Sequence, residues 1–515
     1  MQLASPDIET NRSAFPRRYI RLLAIASVSL IPLLVAAISV LVASRGEWQD
    51  VLPTWNDEIM HWHQVATAIR AGLKGGYYTL WERPAPLTTF HFYAWGPSPY
   101  LIYAIPGSLF GWGPYSLPLF NLVALTVVLL GFCLGARLNV TQLGILALLL
   151  LTFLPGLMYY PLSMLETLHY ALAVILAVLC IPIWARGPNA SLSQKVALIV
   201  FIAFISLLRP SWVTVLLPCL LLMLAPTRRM FVLSVIVTGI VGLASMKLFD
   251  QIRAPYQLGG GGILALGSPL TAYLDRLAEN LRGFVSPEKT SAEVAFTLQV
   301  LWVLGVGAMA LAGVRRLQLL DRQEGLFHVF NLGGILATCI GLFHVGSWYD
   351  FQLLGAPFLL SMLGLVYFKR YAILTVVVLI SLAFLPGAWS TFEERIDTKL
   401  VGSLADLQAF KASLHDYLVY QADEVNPWCN TLAISVYSFR PELIEVPAGI
   451  GISFFISNSD PLPMLSRYWL LGPGVADQLL AANPGASLAP IVETPLGTLF
   501  RNPRADCKIL PENAQ

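Results

Sequence analysis

Long apolar runs alternate with polar connections along this chain. They fall at about 22–44, 114–136, 140–158, 163–185, 196–208, 211–225, 230–249, 294–313, 326–346, 352–368 and 371–389. A helix needs roughly 20 apolar residues to cross about 30 Å of hydrocarbon. In lipid only helices and closed barrels satisfy every backbone group internally, so each run predicts a helix. Residues 196–225 are the contested stretch. As one helix they would rise about 45 Å, well beyond the hydrocarbon core. A proline inside a helix removes a backbone hydrogen bond and crowds the preceding turn. The dipeptide Arg209-Pro210 therefore predicts a break, with a short span on either side. The pattern predicts an all-α polytopic membrane protein with about eleven transmembrane helices.

The charges between the runs orient them. Arg17, Arg18 and Arg21 precede the first run. Arg137, then Arg186 and Lys195, then Arg228 and Arg229, then Arg315, Arg316 and Arg322, then Lys369 and Arg370 all fall in loops of that same side. Short basic loops stay in the cytoplasm, so the N-terminus is expected inside and the C-terminus outside. The first run is too long for the core of a cleaved signal and reads as an uncleaved anchor. This divides the chain into a cytoplasmic stretch 1–21, a membrane domain 22–389 with an outer loop at 45–113, and an extracytoplasmic segment 390–515. A further outer loop spans 250–293. The last segment begins with a helical pattern, Leu400 to Tyr420. Short β-like runs follow at Thr431–Tyr437 and Gly449–Ile456, so a small C-terminal α/β domain is expected.

Composition agrees with a membrane setting. Of 515 residues 56% are hydrophobic and 12% charged, against about 25% charged in a soluble domain. The net charge of +2 and the lack of any Lys/Arg-rich block give no footprint for nucleic acid. Cys133, Cys180, Cys219 and Cys339 lie in apolar runs as small hydrophobes. Cys429 and Cys507 lie in the outer segment, where an oxidising compartment would allow a disulfide between them. No metal-ligand spacing such as CxxC is present.

The first outer loop carries the candidate chemistry. The stretch from Pro53 to Gln64 opens a helix in which Ile59, Trp62, Ala66, Ile69 and Leu73 recur at helical spacing. Gly72 or Gly75-Gly76 should end it, and its amphipathic pattern suits the membrane surface. Asp57 and Glu58 occupy its first turn, and Asp57 and His61 share a face. Acidic residues also favour any helix start, and Thr54-x-x-Asp57 resembles a capping box. His61 and His63 point to different sides, which speaks against a metal pair.

After that helix come Arg83-Pro84, the turn Pro97-Ser98-Pro99, and Phe110-Gly111 before the second run. A carboxylate pair after the first span, a double-proline turn and a Phe-Gly resemble the first outer loop of the C-type glycosyltransferase superfamily. The protein mannosyltransferases and lipid A aminoarabinose transferases form the nearest branch. Ser98 within the double proline is a departure. Glu166 fits the second acidic residue of that superfamily, and Leu208-Arg209-Pro210-Ser211 resembles its basic turn between two short spans. Trp348-Tyr349-Asp350 stands where relatives have an Arg-Tyr, and the Arg is absent here.

The resemblance implies transfer of a sugar from a polyprenyl-phosphate donor to a lipid, glycan or protein acceptor, at the outer face of a bacterial inner membrane. It implies Asp57 as base, with inversion at the anomeric carbon. Glu58, His61, Glu166, Tyr349 and Asp350 would contact substrate, and Arg83 and Arg209 the donor phosphate. No cofactor is expected, although a carboxylate cluster of hard oxygens would suit Mg²⁺ or Mn²⁺, as in oligosaccharyltransferase relatives. A flippase of polyprenyl-linked sugars and a non-enzymatic membrane scaffold are the alternatives.

Overall fold

A computed structural model describes residues 14–48, 51, 58–72, 78–80, 82, 98–113, 115–161, 165–224, 227–252, 270–284, 289–314, 319–342, 349–397, 404–419, 427–435, 446–455, 461–494 and 497–505. The chain is a polytopic α-helical membrane protein with a small mixed sheet near its C-terminus. In order, the first elements are α1 (Ala14–Ala43), α2 (Glu58–Ala71), β1 (Tyr78–Leu80), α3 (Ser98–Phe110), α4 (Ser116–Gly135), α5 (Val140–Leu151), α6 (Leu154–Tyr159), α7 (Leu165–Arg186), α8 (Leu192–Ser206) and α9 (Leu216–Met223). Then follow α10 (Arg228–Ile252), α11 (Leu270–Phe284), α12 (Ser291–Leu311), α13 (Arg322–Leu342), α14 (Tyr349–Tyr367), α15 (Tyr371–Asp397) and α16 (Leu404–His415). The C-terminal elements are β2 (Thr431–Ser435), β3 (Gly451–Phe455), β4 (Tyr468–Leu471), α17 (Val475–Ala482), β5 (Ala489–Thr494) and β6 (Gly497–Arg501).

Within the described residues the apolar runs form helix, but the run expected as one span at 140–158 divides at Thr152 and Phe153 into α5 and the short α6, where Pro155 opens the new helix. Among the described residues seven helices are long and apolar enough to cross a membrane, and α3, α5, α8, α14 and the Pro210–Met223 stretch are shorter apolar ones. The expected break is present. Pro210 disfavours helical geometry in the residue before it, and Arg209 is extended at φ −151°, ψ 112°. A 3₁₀ turn, Pro210–Val215, leads into α9. The Leu222 carbonyl near the end of α9 lies 3.7 Å from where a Cβ on Gly187 would stand, in the turn before α8. The chain thus goes out along α8 and returns along α9, with Arg209 at the tip.

α7 runs through the middle of the bundle, with Tyr170, Ala173, Val174, Leu176 and Ala177 wholly buried. α10 instead turns Val232, Ile236, Ile240 and Leu243 outward, as a lipid-facing helix should. α12 and α13 meet through glycines. A Cβ on Gly325 would stand 3.0 Å from the Gly307 carbonyl oxygen, and one on Gly307 would stand 2.7 Å from Val329 Cγ2. Membrane helices gain their association from such close packing, since lipid is as apolar as leucine. Gly307→Ala is therefore expected to cost about 1–3 kcal/mol, the usual range for overpacking. Val329→Ala in the same chain should recover part of it, read as apparent Tm in detergent.

The sheet runs β1-β3-β2-β4-β6-β5. β1, β3, β2 and β4 are parallel, and β6 and β5 add antiparallel. Strands buried on both faces read as continuous apolar runs, and β3 and β4 are buried at every position. Leu432, Ile434, Ile452, Phe454 and Leu470 belong to the same core as the helical bundle. Ala433, Phe455, Trp469 and Leu471 point to the other face, where Leu479 of α17 covers them. The sheet is more than a cap on the C-terminal segment, because β1 comes from the first outer loop and pairs Tyr78 with Ile452 and Leu80 with Phe454. The final membrane helix also runs past the expected limit at 389, to Asp397.

Candidate functional site

One end of the bundle gathers buried polar groups beneath the C-terminal sheet. At its centre the guanidinium of Arg209, at the hairpin tip, donates from Nη2 to Glu166 Oε1 at 3.1 Å and from Nη1 to the Gln352 carbonyl at 2.7 Å. Glu166 stands in the first turn of α7 and Gln352 in the first turn of α14, so one side chain ties three elements together. Both partners of the ion pair are almost wholly buried, with side chains 6% and 4% exposed. Such a pair needs its remaining hydrogen bonds to offset the loss of water. Beside it, Trp212 Nε1 donates to His169 Nδ1 at 2.9 Å, and both rings are buried.

α2 lies over this cluster. The sequence places it on the membrane surface, and the structure corrects that. His61, Trp62, His63, Gln64, Val65, Thr67 and Ala68 are all buried. His61, His63, Gln64 and Thr67 are covered by protein, while Arg70 near the end of the helix is exposed. His63 Nε2 donates to the Pro447 carbonyl at 3.1 Å, and Thr67 Oγ1 accepts from the Gly449 amide at 3.0 Å. His61 Nδ1 lies 2.8 Å from the Tyr100 hydroxyl of α3. Burial, with the nearby Arg209 charge, lowers the His61 pKa to about 3, and burial lowers that of His63 to about 4, so both rings are neutral near pH 7. α2 ends at Gly72, whose φ of +61° is the left-handed geometry that glycine tolerates.

A second clamp holds the loop to the sheet. Glu82 is fully buried. Its carboxyl group accepts from the Ser466 amide at 2.5 Å and the Ser466 hydroxyl at 2.6 Å. Burial raises its pKa, and the serine hydrogen bonds oppose that rise.

Of the residues singled out from the sequence, Glu166, Arg209 and His61 come together, and Arg209 is close enough to act electrostatically on His61. Asp57 and Arg83 lie outside the described residues, as do the side chains of Glu58, Tyr349 and Asp350. The backbones of these last three start α2 and α14, and α14 is the helix that Arg209 grips. Cys429 is disulfide-bonded, and Cys507 lies outside the described residues. Among the described residues no three His, Cys, Asp or Glu side chains converge as a metal site would require.

Sequence reasoning missed Tyr159, His169, Trp212, Glu293 and Arg395. Arg395, near the end of α15, and Tyr159 act electrostatically on each other, and Glu293 acts on both. Tyr159 also feels Glu166 and Arg209, which links the two halves of the cluster. Glu293 had a signal, since Thr290-x-x-Glu293 is a capping box and is formed here. Arg395 had one too, because Ala388, Phe392 and Ile396 continue a buried helical stripe past residue 389.

No family model and no curated protein matches the chain. Two solved structures of ArnT from Cupriavidus metallidurans are similar to it, one in the apo state and one bound to undecaprenyl phosphate. Both have a TM-score of 0.47, with 10% and 12% identity. The alignments cover 93% and 92% of this chain and 98% and 97% of those chains.

Proposed function

We propose that this protein is a membrane glycosyltransferase that moves a sugar from a polyprenyl-phosphate donor to an acceptor hydroxyl at the outer membrane face. The observation that carries this reading is Arg209, a buried cation held at a helix break at the end of the bundle. Direct displacement forms a bond from the acceptor oxygen to the anomeric carbon and breaks the bond from that carbon to the phosphate oxygen, inverting the centre. The electron pair leaves on the phosphate, so the charge that develops there needs a preorganised cation. Arg209 supplies it, with Arg83 from the outer loop. Asp57 takes the acceptor proton, and Glu58, His61, Glu166, Tyr349 and Asp350 orient the two substrates.

The placement of charge favours an enzyme over a flippase. Transporters set ionisable groups within their spans near the midplane. Among the described residues, the buried charged side chains on the membrane helices and their breaks are Glu166, Arg209, Glu293, Glu324 and Arg395, each at a helix end or a break, and Glu82 lies in the outer loop.

The test is turnover of a labelled polyprenyl-phosphate sugar by purified protein in detergent. Asp57→Asn is expected to lower kcat by about 10²–10⁴-fold, the range of general-base catalysis. EDTA is expected to leave turnover unchanged. Normal turnover by the Asn variant would remove Asp57 as base. No release of polyprenyl phosphate by folded wild type, across several donor sugars, would remove the transferase reading.

A further inference from the structure

The pair His169–Trp212 fixes the position of a proton. An indole nitrogen can only donate. With Trp212 Nε1 2.9 Å from His169 Nδ1, Nδ1 must be the acceptor, and the neutral ring carries its hydrogen on Nε2. That Nε2–H is buried and has no hydrogen-bond partner among the described residues. A buried donor left without a partner costs free energy, and one kept in a folded protein calls for an explanation. His169 and Arg209 line the same small cavity, walled also by Ser211, Ile335, Leu353 and Pro357. Its volume of about 10 Å³ has room for one oxygen atom the size of a water.

We propose that this cavity seats one oxygen of the donor's phosphate, with His169 Nε2–H donating to it beside the Arg209 guanidinium. This deepens the transferase reading and rests on it. The chemistry suits an anionic oxygen, because the niche offers an N–H donor and a cation, and its other walls are mainly apolar. Trp212 is the positioning residue. By donating to Nδ1 it keeps the proton on the nitrogen that faces the ligand, so the niche donates whatever the bulk pH near neutrality.

Asparagine and glutamine separate the two ring nitrogens. In His169→Asn the side-chain oxygen can replace Nδ1 as the acceptor for Trp212, and the Nε2 donor is lost. In His169→Gln the longer amide restores a donor near the Nε2 position. The probe is undecaprenyl phosphate, titrated into the full-length protein in detergent and followed by intrinsic tryptophan fluorescence. Inorganic phosphate and phosphatidylglycerol are titrated separately.

Wild type is expected to bind the polyprenyl phosphate in preference to both controls. The Asn variant should bind about 10- to 100-fold more weakly, the range of a hydrogen bond to a charged group, and the Gln variant should recover much of the loss. Trp212→Phe should also weaken binding, by less than the Asn change, and serves as the test if the His169 variants do not fold. Wild-type affinity in the Asn or Phe variant would overturn the proposal, leaving the niche to a water molecule. Equal weakening by Asn and Gln would overturn it too, since a merely structural ring makes no distinction between its nitrogens. Equal binding of free phosphate would show an anion niche that does not serve a lipid donor. If wild type turns over donor sugar and the Asn variant binds lipid normally, only this proposal fails. If wild type binds no polyprenyl phosphate, the functional reading fails with it.

Discussion

Glu166→Gln is expected to destabilise the protein and abolish turnover, and the combination Glu166→Gln with Arg209→Met to restore stability without restoring turnover. The single change leaves the Arg209 guanidinium buried, still donating to the Gln352 carbonyl but without the Glu166 carboxylate that faces it. Removing one member of a buried ion pair costs about 3–5 kcal/mol, because the remaining charge has lost both water and counter-charge. Replacing both members by groups of similar volume removes that penalty and is often neutral. A pair kept for stability alone would give a double variant that melts like wild type and works like wild type. A pair kept for chemistry gives one that melts like wild type and is inactive, because no cation meets the departing phosphate. Apparent Tm in detergent and release of polyprenyl phosphate, measured on the same preparations, decide between them. A fully active double variant would reduce Arg209 to a structural tie.

The parts of this arrangement that local chemistry dictates were legible in the sequence. The apolar runs became helical because lipid leaves the backbone no other choice, although the run at 140–158 divides into α5 and α6. The break at Arg209-Pro210 followed from the geometry proline forces on its neighbour, and with it came the position of Arg209 at a hairpin tip. Gly72 ended α2 by the same kind of local rule. What depended on distant partners was not legible. β1 is three residues long and pairs with β3 across more than 370 positions of sequence, so no local pattern announces it. The amphipathic pattern of α2 separated its two faces, but amphipathicity alone does not say what covers the polar face. A membrane surface and a protein domain with suitably placed carbonyls both satisfy it. The structure supplies the Pro447 carbonyl for His63 and the Gly449 amide for Thr67. Arg395 and Tyr159 were hidden for a related reason, since an arginine after a long apolar run reads as a residue in water until the neighbouring helix ends are placed.

Because α2 is held by neutral histidines, the protein should lose stability on acidification well before its surface carboxylates are all protonated. The sign follows from where the protons sit. In the unfolded chain both histidines titrate near 6.5, whereas in the folded chain burial holds His63 to about 4, and burial together with Arg209 holds His61 to about 3. Between those values the unfolded chain binds more protons, so stability falls as pH drops from 6.5 towards 4. Each histidine contributes at most about 1.4 kcal/mol per pH unit in that window. Glu82 acts in the opposite sense. Its pKa is raised by burial, so its contribution is complete below the unfolded carboxyl value and is lost as pH rises through the folded one. The two kinds of group can therefore be separated by variants. His63→Gln keeps a donor for the Pro447 carbonyl and removes one titrating site, and should flatten the acid limb of apparent Tm between pH 6.5 and 4.5. Glu82→Gln removes a contribution that falls as pH rises above the ordinary carboxyl value of 4.5, so it should steepen that limb. A Glu82→Gln profile flat from pH 4.5 to 6.5 would mean that the rings of His61 and His63 reach water, and that the C-terminal domain does not seal α2 in the way the structure shows.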